Sequence, residues 1–156
     1  MNFSINLTVQ DFVDGGQRFQ VGEIHIGKFH ETFMASLSYW TKLDYLIQWK
    51  VALIRICNGN DKSCLITSMF DPSIANFIFW WTLYLDGNIV HIQNQILFLD
   101  ELDKPFLELN PYESIRTRET VSDEGDKISE WHVDVDDIKV YLDLQTGDAL
   151  QNRKVN

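Results

Sequence analysis

Two long apolar runs separated by Asp86-Gly87 constrain the fold of this chain more than any other feature. Residues 77–85 are apolar almost throughout, and residues 89–98 alternate between apolar and polar side chains. An Asp-Gly pair between two such runs is a strong signal for a tight β-hairpin. We therefore predict two antiparallel strands here, the first of which is central in a sheet and covered on both faces.

The second run has a clear two-residue period. Its even-numbered residues from Val90 to Phe98 share one mainly apolar face, and its odd-numbered residues from His91 to Gln95 share the other. Asn94 interrupts the apolar face. Because a buried amide without partners is costly, we expect Asn94 to be hydrogen-bonded.

The clearest helix is predicted over residues 42–57. Thr41 followed by Asp44 resembles a capping box, and Asn58-Gly59 is a typical C-terminal stop. A narrow polar stripe includes Asp44 and Gln48, and apolar side chains cover most of the remaining helix surface. We expect such a helix to pack against the protein on more than one side.

The other predicted elements are short. Strands are expected over residues 3–13 (alternatively a loosely held arm), on both sides of Gly27, and over residues 63–70, 115–121 and 127–133. A short closing helix is expected over residues 137–144, and residues 149–156 are expected to form a polar, frayed tail. The chain is therefore predicted to be a single α+β domain over residues 1–148, with a mainly antiparallel sheet packed against the helix 42–57.

Negative charge is concentrated in the C-terminal third of the chain. The net charge is −10 at pH 7, and fifteen acidic residues stand against five basic ones between Asp100 and Asp148. A nucleic-acid-binding domain needs the opposite sign, because neutralised phosphates supply much of its affinity. The charge therefore favours a protein partner with a basic surface and argues against direct binding to nucleic acid.

The sequence also indicates a compartment. The N-terminus lacks the basic start and the apolar stretch of a signal peptide, and no window approaches the ~20 apolar residues of a membrane span. Cys57 and Cys64 are too few for a disulfide framework and fit free, buried thiols. We expect a cytoplasmic, monomeric protein that does not contact the membrane.

Motifs for catalysis and for metal binding are missing from the sequence. None of the four histidines has the spacing of a metal or general-base motif, and no glycine-rich phosphate loop is found. Residues 134–137 briefly resemble a calcium loop, but Lys139 stands where that loop needs glycine. We predict that the chain is not an enzyme and binds no cofactor or metal. The alternative is a small hydrolase that combines a carboxylate with one histidine.

Eight residues are candidates for contacts with a partner: Asp123, Glu124, Asp126, Glu130, Trp131, Asp134, Asp136 and Asp137. The first three lie in a predicted turn and the last three at a boundary between elements, where exposed contacts are common. Glu130 and Trp131 lie in a predicted strand. Arg116 or Arg118 could pair with a carboxylate such as that of Glu130 across this hairpin and give it a structural role instead.

Several stretches of the sequence resemble the immunity proteins of bacterial contact-dependent growth inhibition systems. They are Gly22–Gly27, Ser38-Tyr39-Trp40, Tyr45, Gln48-Trp49, Leu65–Ser68, Asp71-Pro72, Trp81, Leu83-Tyr84, Ile92-Gln93-Asn94, Arg118 and Ile128–Trp131. The resemblance covers roughly residues 20–144. Its densest parts are the predicted hairpin and the stretch Ser129-Glu130-Trp131.

This resemblance implies a cytoplasmic protein that binds the C-terminal toxin domain of a large surface protein delivered by a neighbouring cell. Many such toxins are nucleases, often acting on transfer RNA, and the immunity protein blocks the active site without catalysis. An acidic face suits this role, because complementary charge raises association rates toward ~10⁸–10⁹ M⁻¹s⁻¹ at low salt. The matching stretches do not identify the toxin-contacting residues. Another acidic interaction module or a nucleic-acid mimic remains an alternative.

Overall fold

The computed structural model of the protein describes the backbone of residues 2–155 and the side chains of residues 2–147. Within these residues, seven strands and two helices form an α+β fold, as predicted. The elements are β1 (Phe3–Asp14), β2 (Gln17–Ile26), β3 (Phe29–Ser36), α1 (Lys42–Cys57), β4 (Lys62–Ser68), β5 (Phe77–Asp86), β6 (Ile89–Phe98), β7 (Trp131–Asp134) and α2 (Val135–Val155).

The first three strands form an antiparallel sheet in the order β1-β2-β3. Gly27 lies in the turn between β2 and β3, so the two strands predicted around it are confirmed, and the opening segment is a strand rather than an arm. Gly22 in β2 lies opposite Phe33 in β3. A Cβ atom at this position would meet the Phe33 ring at 2.3 Å, so glycine leaves the space in which the ring lies.

The second sheet is also antiparallel and has the order β4-β5-β6-β7. The predicted hairpin is confirmed, because Asp86 pairs with Ile89 across the two-residue loop Gly87-Asn88. Gly87 has a φ of 60°, which the first loop position of a type II′ turn requires. Trp80 and Trp81 of β5 point to opposite faces and are both buried. β5 is therefore a central strand covered on both faces, as predicted.

Asn94 divides the apolar face of β6 into a buried and an exposed part. Ile92 is buried, whereas Ile96 and Phe98 on the same face are exposed. Asn94 is itself exposed, and its Nδ2 atom donates a hydrogen bond to Glu31 at 3.3 Å. Asn94 therefore has a hydrogen-bond partner, as expected, and it lies where the buried part of β6 ends.

Helix α1 begins with the predicted capping box. The Thr41 Oγ1 atom accepts a hydrogen bond from the Asp44 backbone N–H, and the Asp44 carboxylate accepts one from the Thr41 N–H. The buried side chains of the helix are Tyr45, Gln48, Trp49, Ala52, Leu53 and Ile56. They share the face that the helix turns toward β4 and the core.

Two side chains of α1 satisfy the free edge of strand β4. Gln48 Nε2 donates to the Cys64 carbonyl at 2.8 Å, and Gln48 Oε1 accepts from the Ile66 N–H at 2.8 Å. Trp49 Nε1 donates to the Ile66 carbonyl at 2.7 Å. Gln48 lies on the polar stripe predicted from the sequence, and its amide is buried because the edge of β4 gives it hydrogen-bond partners. Helix α1 thus prevents another strand from pairing here.

Residues 99–130 connect β6 to β7. This connector crosses the face of the second sheet from which Tyr84 and Gln93 project. Side chains of the sheet hold the backbone of this connector: Tyr84 Oη donates to the Arg116 carbonyl at 3.2 Å, and Gln93 Nε2 donates to the Glu119 carbonyl at 2.9 Å. Short 3₁₀ turns lie within the connector at Leu99–Glu101 and Pro111–Ser114.

The strands predicted over residues 115–121 and 127–133 need correction. Only an isolated bridge between Val121 and Lys127 joins these segments, and regular pairing begins at Trp131, where β7 pairs with β6 instead. Tyr84 and Gln93 of the sheet bind backbone carbonyl groups of the connector. These carbonyl groups therefore have hydrogen-bond partners although the two segments do not pair as strands.

The predicted closing helix is confirmed, but it is longer than expected. Helix α2 begins at Val135 and continues to Val155, and so includes most of the predicted frayed tail, residues 149–156. The side chains of that segment and the whole of Asn156 lie outside the described residues. Tyr141 of α2 donates a hydrogen bond to the Ile5 carbonyl of β1. Neither of the helices described is long and apolar enough to cross a membrane.

One cluster of buried apolar side chains joins both sheets and both helices. Phe3 of β1, Tyr45 of α1, Trp80 of β5 and Ile138 of α2 all belong to it and are almost fully buried. Ile115 of residues 99–130 also belongs to this core, whereas Asp123–Asp126 and the outward face of α1 are exposed, where another molecule can reach them.

Candidate interaction surface

The acidic turn predicted between the last two strands is present and exposed. The Ser122 N–H donates to the Asp126 carbonyl at 2.8 Å, and the Gly125 N–H donates to the Ser122 carbonyl at 2.9 Å, which closes a tight turn. Asp123, Glu124 and Asp126 are exposed, and none of them forms a salt bridge with another described residue. Their charges are therefore free to act on a partner.

Asp134 and Asp137 cap the N-terminus of α2. The Asp136 N–H donates to Asp134 Oδ1 at 2.9 Å, and the Asp134 N–H donates to Asp137 Oδ2 at 3.2 Å. This reciprocal arrangement satisfies backbone donors as a capping box does. Asp136 is exposed, with Oδ1 at 3.7 Å from the Lys139 Nζ atom. Two of these three acids thus serve the helix, and Asp136 has its carboxylate in solvent.

Glu130 belongs to a largely buried polar cluster. Its carboxylate accepts hydrogen bonds from Arg118 Nε at 2.8 Å, from Arg118 Nη2 at 2.5 Å and from Gln93 Nε2 at 2.7 Å. The His91 Nδ1 atom lies 3.3 Å from Glu130 Oε1. The hydrogen bonds with Arg118 favour the ionised carboxylate and lower the pKa of Glu130 to about 2. The predicted pairing of arginine and glutamate is confirmed.

Trp131 links the two sheets. Its ring stacks on Phe29 of β3 with the ring centroids 4.0 Å apart, and it lies 5.6 Å from the ring of Trp81 in β5. Trp131 is therefore half-buried in an aromatic cluster. The eight candidate residues divide into exposed acids and residues with internal contacts, and Glu130 and Trp131 are in the second group.

The histidines and cysteines do not form a reactive cluster. His25 and His30 stack across β2 and β3 with centroids 4.8 Å apart, and the rings of His91 and His132 are 6.3 Å apart. No three His, Cys, Asp or Glu side chains in the described part of the chain could hold a metal ion together. Burial raises the pKa of the Cys64 thiol, which makes it a poor nucleophile.

The outward face of α1 is an exposed apolar surface that was not predicted from the sequence. Its exposed side chains are Leu43, Leu46, Ile47, Val51 and Ile54. The expectation that α1 is covered on more than one side therefore holds only in part, because α2 and the sheets leave this face in solvent. Apolar residues on several sides of a helix indicate that other groups pack against those sides. They do not show whether these groups belong to the protein's own core or to a binding partner.

A groove of about 440 Å³ runs between α1 and residues 108–112 of the connector. Ile47 and Val51 form part of its apolar wall on the helix side. Asp44 and Glu108 are its charged lining residues. The groove arises where two segments far apart in sequence meet, so no local pattern could have revealed it.

Comparison with known proteins assigns the family. The family model described as the CdiI N-terminal domain matches residues 35–141, which include α1, the second sheet, the connector and the start of α2. This chain belongs to the CdiI family of immunity proteins. Members of such a family are inhibitors rather than enzymes, so the family assignment agrees with the predicted lack of catalysis.

Two CdiI comparisons extend the match over most of the chain. The immunity protein CdiI of Enterobacter cloacae subsp. cloacae is 36% identical over 123 residues, which is 79% of this chain and 84% of the relative. A chain of the CdiA-CT/CdiI toxin and immunity complex from Enterobacter cloacae matches with a TM-score of 0.83 and 32% identity. That match covers 93% of this chain and 99% of the other. These matches confirm the resemblance to immunity proteins of contact-dependent growth inhibition systems that the sequence indicated.

Proposed function

We propose that this CdiI family protein binds and neutralises a cognate CdiA-CT toxin domain and so protects the cell that produces it. The observation that carries the proposal is the likeness, over 93% of the chain, to a chain of a toxin and immunity complex. Extensive likeness in both sequence and fold supports a partner of the same kind. Neutralisation then requires tight binding that blocks the action of the toxin, and the exposed acidic and apolar surfaces described above suit such binding.

The charge of the chain supports a more specific proposal for the toxin. We propose a nuclease, such as one that cleaves transfer RNA, whose basic active-site region this protein covers in the cytoplasm. A nuclease needs positive charge where it holds its substrate. The net charge of −10, concentrated between Asp100 and Asp148, complements such a surface and excludes RNA from it once the complex forms.

The exposed acids are the proposed points of first attraction. Asp123, Glu124 and Asp126 have no competing salt bridge among the described residues, so their field extends into solvent. Glu130 is bound to Arg118. We therefore assign Glu130 the task of holding the connector in place, rather than a direct contact with the toxin.

Co-expression tests the function as a whole. Cells that produce the cognate toxin domain should stop growing, and the chain should restore their growth. The purified proteins should form a complex whose association rate falls as salt rises, because exposed charges are screened. Failure of the wild-type chain to bind or to protect contradicts the proposed function.

Neutralised variants test the role of the acidic turn. The triple variant Asp123→Asn, Glu124→Gln, Asp126→Asn should associate about three- to tenfold more slowly at low salt, with a smaller difference at high salt. The matched control removes three exposed acids outside the C-terminal third: Asp14→Asn, Asp61→Asn and Asp86→Asn. Equal slowing of both variants would assign the effect to net charge, and an unchanged rate in the first would place the contact elsewhere.

A further inference from the structure

The exposed apolar residues of α1 form a continuous stripe. The side chains of Leu43, Ile47 and Val51 are 63%, 53% and 46% exposed, and they follow one another at intervals of four residues along one side of the helix. Leu46 and Ile54 widen the stripe and are also exposed. A contiguous apolar surface on a helix is typical of a site for another protein.

The two flanks of this stripe differ in charge. On the flank toward residues 108–112, Asp44 and Glu108 line the groove. The Tyr39 hydroxyl donates a hydrogen bond to Glu108 and so holds its carboxylate in this position. On the other flank, Lys50 lies in a smaller groove between α1 and α2. The larger groove is therefore an apolar channel with an acidic border.

We propose that the stripe and the larger groove form a second contact surface for the toxin domain. An apolar side chain of the toxin enters the groove, and a toxin lysine or arginine lies beside Asp44 and Glu108. This inference rests on the proposed function and extends it. The exposed acids of the turn speed association, whereas an apolar anchor withdrawn from water slows dissociation.

Charge distinguishes the toxin domain from a second copy of this chain as the occupant. Asp44 and Glu108 give the groove a negative border, which favours an inserted segment that carries positive charge. Each copy of this chain carries a net charge of −10, so two copies repel each other, whereas a basic domain is attracted. A basic partner with apolar anchors fits both properties of the surface.

A pair of matched substitutions tests this surface. Ile47→Asp introduces a charge into the stripe, and Ile96→Asp introduces the same charge into the exposed part of the β6 face, where the side chain is 51% exposed. Ile47→Asp should weaken binding of the purified toxin domain about 30-fold or more, mainly through faster dissociation. Ile96→Asp should leave the affinity unchanged. Glu108→Gln should weaken binding about tenfold, because the cationic toxin side chain loses its partner.

Four results would overturn the inference. One is an unchanged affinity of Ile47→Asp for a toxin that the wild-type chain binds, and another is a loss of affinity in Ile96→Asp alone. The third is equal weakening by both substitutions, which would show no preference for the stripe. The fourth is a dimer of the wild-type chain in sedimentation experiments, together with a monomer for Ile47→Asp. The stripe would then bind a second copy of this chain.

Two controls separate this inference from other failures. Circular dichroism and thermal melting should show that Ile47→Asp remains folded, as expected for a side chain outside the core. If Ile47→Asp did unfold, the milder Ile47→Ser should give the same loss of affinity in a folded protein, and an unchanged affinity would overturn the inference. Failure of the wild-type chain to bind the toxin contradicts the proposed function itself.

Discussion

Glu130 and Asp123 are seven residues apart in the chain, yet their carboxylates have different surroundings. The Glu130 side chain is 16% exposed and is held by Arg118 and Gln93, whereas Asp123 is exposed in a turn. The ionised form of Glu130 is stabilised by charge-assisted hydrogen bonds. The two acids therefore have different tasks, one in the stability of the fold and the other in the field outside it.

The pH dependence of stability tests the task of Glu130. Since its folded pKa of about 2 lies below its usual value of 4.5, Glu130 stabilises the fold above pH 4.5, and this contribution is lost as the pH falls through the folded pKa. The complete contribution is about 3 kcal/mol. We expect the free energy of unfolding of wild type to fall more steeply between pH 7 and pH 3 than that of Glu130→Gln, in urea titrations.

The matched control for this titration is Glu124→Gln, which removes an exposed carboxylate of the acidic turn. It should reproduce the wild-type slope, because exposed charges contribute little to stability. Equal slopes for wild type and Glu130→Gln would contradict the structural task of Glu130.

At the level of elements, helix α1 has two different faces. One face supplies Gln48 and Trp49, which bind the backbone of β4 where no further strand pairs with it. The opposite face, with Ile47 at its centre, stays in solvent. The helix therefore protects a sheet edge from unwanted pairing and at the same time presents an apolar stripe to a partner.

Replacement of Gln48 should reveal the cost of opening that edge. In Gln48→Leu the Cys64 carbonyl and the Ile66 N–H lose the partners they have in the wild type. We expect a loss of about 2–3 kcal/mol in the free energy of unfolding, although leucine is apolar and of similar length. Chemical denaturation measures this loss. Gln10→Leu, at an exposed position of β1, should change stability by less than about 0.5 kcal/mol.

At the level of the whole molecule, two sheets share one core. Phe29 of β3 contacts both Trp81 and Trp131 of the second sheet, and Tyr141 of α2 closes on β1. Buried side chains of both sheets belong to one continuous cluster. The single domain predicted over residues 1–148 therefore remains the expectation for how the chain folds.

Unfolding in urea tests this expectation. Tryptophan fluorescence reports mainly on the second sheet, which contains Trp80, Trp81 and Trp131, and far-ultraviolet circular dichroism reports on the whole backbone. We expect both signals to give one transition with the same midpoint, as for a two-state domain. Two transitions, or separate midpoints for the two probes, would show that the sheets unfold independently.

Features that depend on neighbours in sequence were predicted correctly. The β5–β6 hairpin follows from Asp86-Gly87 between two apolar runs, and the start of α1 follows from Thr41 and Asp44. Turn geometry and helix capping involve residues within a few positions of each other, so the sequence contains the whole interaction. The strand predicted over residues 115–121 is not formed, and of the one predicted over 127–133 only the end is a strand, as part of β7. Distant side chains such as that of Gln93 provide hydrogen bonds to the connector instead.

The sequence by itself determined the α+β class, the hairpin, helix α1, the negative charge and the stretches that carry the family resemblance. Only the tertiary structure decided that Gln48 is buried while Ile47 is exposed, and that Glu130 is bound while Asp123 is free. The physical reason is that periodicity states which residues share a face, whereas burial depends on which distant segment covers that face. For the outward face of α1, no segment among the described residues does so.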